Sequence, residues 1–176
     1  MQTEKEILEG CLKNNKIAQY ELYKKYSSRL FGLCVRYVPD KDNAADVLQE
    51  SFIKIFESIS KFRNEGSFEG WMKRITVNTA LNYLKKYKYQ FDEVNIENTT
   101  DEPFTENDVF SKIGKDDILK LLQELPEGKR VVFNLYVFEG YNHKEIGNLL
   151  NITESTSKTQ FSKAKKMLQD KITNLY

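Results

Sequence analysis

Three stretches of this chain carry side chains in patterns that can do chemical work. The first, Tyr141–Leu168 (YNHKEIGNLLNITESTSKTQFSKAKKML), places lysines and hydroxyls on a helix predicted to begin just after Thr153, with Lys158, Gln160, Lys163, Lys165 and Lys166 at exposed positions. Ammonium and hydroxyl groups bond phosphate oxygens, and a basic helix held in a tight helix pair suits a DNA major groove. The second stretch interleaves aromatic and basic residues: Lys61, Phe62, Arg63, Phe68, Trp71, Lys73 and Arg74. Rings stack on or pocket unpaired bases while cations track the backbone, and amides such as Asn64 and Asn78 can read base edges. The third is a stripe of Asp46, Gln49, Glu50, Ile53 and Glu57, at i, i+3, i+4, i+7 and i+11 of one helix. Carboxylates around one apolar residue suit a partner helix bearing arginines, or else simply face water.

The elements that position these residues read as helical throughout. No alternating strand pattern appears, so the expected fold class is all-α. Thr3 with Glu6 opens a short helix that Lys13–Lys16 interrupts. A longer helix runs from about Ala18 to Val38, with Leu22, Tyr26, Leu30, Leu33 and Tyr37 at helical spacing, and Pro39-Asp40 ends it. The acidic stripe rides on a helix from about Asn43 to Ser60, opposite Ala44, Leu48, Phe52, Ile55, Phe56 and Ile59. After a polar turn at Arg63–Ser67, a helix from about Phe68 to Tyr89 is expected to bury Trp71, Ile75, Leu81 and Leu84. Trp71 reads as core rather than as a base platform, because Ile75 lies one turn on.

Residues 91–115 lose periodicity and hold most of the acidic excess, as a flexible acidic linker would. Helices resume near Asp116, break at Pro126, continue through Val131–Phe138 and turn at Gly140. Asn142 and Glu145 have capping-box spacing, and Ile146, Leu149 and Leu150 form one apolar face. Gly147 leaves room for a close crossing, Asn151 tolerates the left-handed turn, and Thr153 caps the next helix. The expected organisation is two small helical domains, residues 1–90 and 116–176, joined by the linker 91–115; the C-terminal domain contains a helix-turn-helix.

Charge is patterned along this division. Residues 61–90 carry seven basic and two acidic side chains, residues 91–117 two and nine, and residues 141–176 six and three, although the net formal charge is only +1. Local field governs binding to nucleic acid, so the segments are the better guide. Cys11 and Cys34 lack neighbours at metal-ligand spacing, and His143 is the one histidine, so neither a metal site nor a disulfide scaffold is expected. No nucleophile–base pair or phosphate-binding glycine loop is present, which argues against an enzyme, and no cofactor is implied. His143, beside the turn, is expected to face solvent or a phosphate. No apolar run approaches a membrane span and the N-terminus is unlike a signal peptide, so a cytoplasmic protein without membrane insertion is expected.

Taken together, three blocks resemble the bacterial RNA polymerase sigma factors of the extracytoplasmic-function (ECF) group. DNAADVLQESFIKIFESISKF (Asp42–Phe62) is similar to the segment that binds core polymerase. FRNEGSFEGWMKRITVNTALNYLKK (Phe62–Lys86) is similar to the segment that melts the promoter and reads its −10 element. LPEGKRVVFNLYVFEGYNHKEIGNLLNITESTSKTQFSKAKKML (Leu125–Leu168) is similar to the −35-reading domain. The resemblance implies polymerase contact through Asp46, Gln49, Glu50 and Ile53. It implies −10 contact through Lys61, Phe62, Arg63, Asn64, Ser67, Arg74, Asn78, Asn82 and Lys85, with the loop Phe62–Ser67 forming a pocket for a flipped base. For the −35 element it implies Ser155, Thr156, Lys158, Thr159, Ser162 and Lys163.

Core RNA polymerase and promoter DNA are the implied partners, together with an anti-sigma protein of the kind that restrains many members of the group. Three positions depart from the family pattern: Ser157 where an apolar residue is usual, Asn151 for a turn glycine, and Gln160 for a common arginine. A buried serine at 157 is expected to bond back to its own helix. The alternative function is a conventional helix-turn-helix regulator that binds DNA without stable polymerase association; the Phe62–Arg74 block argues against it.

Overall fold

The computed structural model describes residues 3–86 and 114–175. All regular elements among them are helical: α1 (Glu4–Leu12), α2 (Lys16–Tyr37), α3 (Lys41–Ser58), a 3-10 turn (Ile59–Lys61), α4 (Phe68–Lys86), α5 (Lys115–Gln123), α6 (Glu127–Val137), α7 (His143–Leu150) and α8 (Glu154–Leu175). They group into two units, α1–α4 and α5–α8. The expected linker lies outside the described residues apart from Gly114 and Lys115, which begin the second unit.

In the first unit, local sequence sets each boundary. The Thr3 hydroxyl accepts from the Glu6 amide and the Glu6 carboxylate accepts from Thr3 N–H at 2.7 Å, which completes a capping box at the start of α1. Asn14 takes a left-handed φ of +55° and Asn15 caps α2 by accepting from the amides of Ile17 and Ala18. Asp40 Oδ1 accepts from the Asn43 amide at 2.8 Å and starts α3. α2 packs against α1, α3 and α4, and its stripe of Leu22, Tyr26, Leu30, Leu33 and Tyr37 is buried as the spacing requires. α1 buries Ile7 and Cys11, and Gly10 permits its approach to α2, because a Cβ there would lie 2.5 Å from the Ala18 Cβ.

α4 differs from the expectation. Its buried set is Phe68, Met72, Thr76, Val77, Thr79, Ala80, Leu81 and Leu84, while Trp71 and Ile75 are only half-buried. The helix is apolar on adjoining faces, so periodicity alone cannot decide between them. Two threonines tip the choice: Thr76 donates to the Met72 carbonyl at 3.0 Å and Thr79 to the Ile75 carbonyl at 2.9 Å. Their hydroxyls are thereby satisfied and the helix can bury that face.

The second unit is built around α8. α6 and α7 pack on it most extensively and α5 more lightly, with Val131, Val132, Phe133, Leu135, Ile146, Phe161, Ala164 and Leu168 inside. Asn142 and Glu145 form the expected capping box, Asn151 takes φ +57°, and the Thr153 hydroxyl accepts from the Thr156 amide at 3.0 Å. A Cβ at Gly147 would lie 2.8 Å from the Ile152 carbonyl oxygen, which belongs to the turn itself. Gly147→Ala is therefore expected to destabilise the protein by about 1–3 kcal/mol through backbone displacement. Gly32→Ala, where a Cβ meets nothing within 4 Å, is expected to be neutral or slightly stabilising. Denaturant unfolding of the two variants checks both.

Candidate nucleic-acid interface

The first unit presents its chemistry on two adjoining surfaces of α3 and α4. On α3, Asp46, Gln49, Glu50 and Glu57 are exposed, and Ile53 among them is 57% exposed, unusual for an isoleucine. Glu50 pairs with Lys54 at 2.5 Å, one turn on. The stripe predicted to meet a partner helix is thus intact as one surface.

Next to it, α4 carries Arg74, Asn78, Asn82 and Lys85 exposed along one face. Asn78 and Asn82 line a shallow groove of about 370 Å³ with Lys54, Glu57, Ser58 and Lys61 of α3 and the turn after it. The fold therefore brings the predicted Lys61, Asn78 and Asn82 together. It adds Lys54, whose ammonium also reaches the Thr79 hydroxyl at 3.5 Å. Amide and ammonium groups on an open groove can meet base edges and phosphates together.

The loop between the 3-10 turn and α4 is held at both ends by rings. Phe62 packs on Phe68 at 5.1 Å and on Trp71 at 5.5 Å, and Phe68 stacks on Trp71 at 5.6 Å with planes 17° apart. Arg63, Asn64 and Ser67 are exposed between these anchors, with Asn64 at φ +57° and Gly66 at φ +100° turning the chain. The Ser67 hydroxyl accepts from the Gly70 amide at 3.0 Å, so that oxygen is engaged in starting α4. Phe62, Asn64, Ser67 and Phe68 line a second pocket of about 320 Å³. Its remaining wall comes from α1, through Glu4, Lys5 and Leu8, which sequence reasoning left outside the site. No local pattern could have indicated them, because the wall exists only once α1 folds against the 3-10 turn some fifty residues later.

Glu69 braces this region from behind. It pairs with Lys73 at 3.1 Å and with Arg29 of α2 at 2.8 Å. The Lys73 hydrogen bond first, and the charges of Lys73 and Arg29, hold its carboxyl below the ordinary value. The linked stability is present above the unfolded carboxyl range and is lost as pH falls through the lowered value.

In the second unit, the predicted −35 residues are less uniformly open. Ser155 is exposed, and Thr156, Lys158, Ser162 and Lys163 are half-buried. Thr159 departs from the expectation: it is 2% exposed and its hydroxyl donates to the Ser155 carbonyl at 3.0 Å. A hydroxyl engaged in this way does not present itself to a groove. Gln160, expected at the surface, is 1% exposed, and its side-chain oxygen has no hydrogen-bond partner.

Two further expectations are corrected together. Ser157 is fully buried, yet its hydroxyl does not bond back to its own helix; it pairs with His143 Nδ1 at 2.9 Å. His143, expected to face solvent or a phosphate, is half-buried: it stacks on Tyr136 at 4.5 Å with planes 13° apart, and lies against Phe161 at 5.7 Å. His143 opens α7 and Ser157 lies in the first turns of α8, so the bond ties the two helices of the motif across their turn. Sequence could not show this, because the pair is fourteen residues apart and joined only by the crossing angle.

Among the described residues no cluster could hold a metal ion and no helix is long and apolar enough to cross a membrane. Burial pushes the Cys34 thiol up to about 12 and raises that of Cys11, leaving both poor nucleophiles.

Comparison with known proteins follows the same two units. The sequence matches the family Sigma-70 region 2 over residues 22–89 and Sigma-70, region 4 over residues 115–168. An ECF RNA polymerase sigma-E factor of Haemophilus influenzae is 30% identical, over 97% of this chain and 95% of that protein. An RNA polymerase sigma-H factor of Pseudomonas aeruginosa is 28% identical, over 94% and 91%. The sigma factor RpoE of Bartonella quintana, solved with the anti-sigma factor NepR, shares the fold at a TM-score of 0.53 and 19% identity, over 86% of this chain and 94% of that one.

The His143–Ser157 bond makes a measurable prediction. In a cycle of His143→Ala, Ser157→Val and the double variant, the two changes are expected to be non-additive by about 0.5–1.5 kcal/mol, the ordinary worth of a hydrogen bond. Denaturant unfolding of the four proteins checks it; additive effects would mean that the pair contributes nothing as a pair.

Proposed function

The chain belongs to the ECF group of RNA polymerase sigma factors, and we propose from that premise which residues do its work. It is an initiation factor, not an enzyme, that binds core RNA polymerase and directs it to promoters. In our reading the α3 surface of Asp46, Gln49, Glu50 and Ile53 docks on polymerase. Exposed carboxylates offer charge-assisted bonds to arginines, and the open isoleucine offers the apolar anchor that a desolvated interface needs.

The −10 element is engaged by Lys61, Arg74, Asn78, Asn82 and Lys85 along the α3–α4 groove, and by Phe62, Arg63, Asn64 and Ser67 of the loop, which receive an unpaired base. The −35 element is held by Ser155, Thr156, Lys158, Ser162 and Lys163. Lysines and hydroxyls there position the helix on phosphates more than they specify bases. The domains divide at the acidic segment, 1–90 before it and 116–176 after it, and the protein acts in the cytoplasm, where polymerase is. The related RpoE was solved with an anti-sigma factor, and a regulator of that kind would compete for the same exposed faces.

The observation that carries this reading is Ile53, left 57% exposed in the middle of a polar stripe on a helix that buries Ala44, Leu48, Phe52 and Ile55 on its opposite face. Titrating labelled chain with sigma-free core polymerase tests it. Saturable binding is expected, weakened roughly tenfold or more, at least 1.4 kcal/mol, when Asp46, Gln49 and Glu50 are all alanine. No binding by the folded chain would return the free-standing regulator. On a promoter, Lys163→Ala is expected to lower the salt slope of binding by about one, whereas Asn78→Ala mainly slows opening.

A further inference from the structure

The pocket beside the Phe62–Ser67 loop has a wall that the matched sigma regions do not include. Residues 22–89 carry the region 2 match, whereas Glu4, Lys5 and Leu8 stand on α1, ahead of it. This wall is firmly placed. α1 is fixed by its capping box, by burial of Ile7 and Cys11, and by the close contact of Gly10 with Ala18. It also packs on the 3-10 turn that feeds directly into the loop. At about 320 Å³ the pocket is at the lower end of the roughly 300–1,000 Å³ range of small-molecule sites, a scale suited to a single planar group.

Its lining is chemically two-sided. Phe62, Phe68 and Leu8 offer apolar surface to the flat face of a base. Glu4 offers a carboxylate at the edge, held in place by the Tyr26 hydroxyl, which donates to its Oε2. Burial first, and the neighbouring Glu4 carboxylate next, raise the Tyr26 phenol above its ordinary value, so it remains a donor at neutral pH. Lys25 approaches the same Oε2 at 3.8 Å. Both contacts use the same oxygen, and Glu4 lines the pocket, so its carboxylate can offer the other oxygen to a donor there. Asn64 faces the pocket with an amide that can donate or accept.

An ionised carboxylate accepts only. Cytosine, adenine and guanine each carry an exocyclic amino group that can donate to it, whereas thymine has no amino group and its one edge donor, N3–H, is flanked by two carbonyl oxygens that a carboxylate repels. Lys5, the one basic residue of α1, lies at the same pocket and can meet the phosphate of a nucleotide that enters.

We propose that α1 is the second wall of the base pocket, and that its Glu4 makes the pocket select an amino-bearing base over thymine in the opened promoter strand. This rests on the reading that the loop receives an unpaired base. Selection is therefore set partly by a helix outside the −10-reading segment, with Glu4 reading the base edge and Tyr26 positioning Glu4.

The test uses the full chain assembled with core polymerase. Holoenzyme selects from fork-junction DNA whose unpaired non-template segment is randomised, and the bound pool is sequenced. One position is expected to enrich amino-bearing bases over thymine by about fivefold or more, the factor for a base-edge contact of at least 1 kcal/mol. Glu4→Gln keeps an acceptor for Tyr26 but loses the full charge; it is expected to flatten selection at that position alone, with polymerase binding and thermal unfolding as checks on the fold. Asn64→Ala tests the loop separately. If Asn64→Ala erases a preference that Glu4→Gln leaves untouched, the loop reading stands and the α1 wall is overturned. If neither variant changes selection anywhere, both are overturned, and a thymine preference that survives Glu4→Gln overturns the proposed role of the carboxylate.

Discussion

Much of what the first unit can do depends on one ring, Phe62, being folded back onto Phe68 and Trp71. The loop that follows is polar, turns through left-handed Asn64 and Gly66, and has few backbone bonds to hold it. Anchoring it at its first residue limits the conformations it must lose when a nucleotide enters, and that preorganisation lowers the cost of binding. The same ring is half-buried and lines the pocket. One aromatic thus serves the packing and lines the pocket as well, and α4 must begin where it does, capped by Ser67, for the geometry to hold.

The second unit solves a different problem, how to fix the angle between two short helices. An α7 of eight residues is too short to be stable alone, so its orientation has to come from tertiary contacts. Gly147 brings α7 against the turn with no side chain between, and the His143–Ser157 bond closes the other end. A serine at 157 loses apolar area relative to valine. The histidine recovers part of that loss by filling the space with a ring stacked on Tyr136 and bonded across the crossing. A polar pair at such a crossing favours one angle over its neighbours, because rotation would draw the fully buried Ser157 hydroxyl away from its partner.

How much of this the sequence revealed follows from how local each cause is. Capping boxes, the Asn151 turn, the Gly147 crossing and the α2 stripe rest on contacts within a few residues, and each appears where the spacing places it. The α3 surface was equally legible, since a helix facing a core on one side must show its other side. The buried face of α4 was not, because Trp71–Ile75 and Met72–Thr76 have the same periodicity and only the threonine back-bonds separate them. Gln160 shows that polar identity does not guarantee exposure, and Thr159, which the resemblance puts in the groove, turns its hydroxyl to its own helix instead. The α1 wall and the histidine pair depend on distant residues meeting, and a single sequence carries no signal of that.

Charge distribution explains why a DNA-binding protein can have a net charge of only +1. Seven basic and two acidic residues in 61–90, and six against three in 141–176, are modest surpluses for proteins that bind DNA unaided. Each unit alone would release few counterions, so its affinity would be low and its dependence on salt shallow. Two such units become selective only when a partner fixes their spacing, since the second contact then forms at high effective concentration. Weak separate affinity would in that case be an advantage, because free chains would not be sequestered on the vast excess of non-promoter DNA.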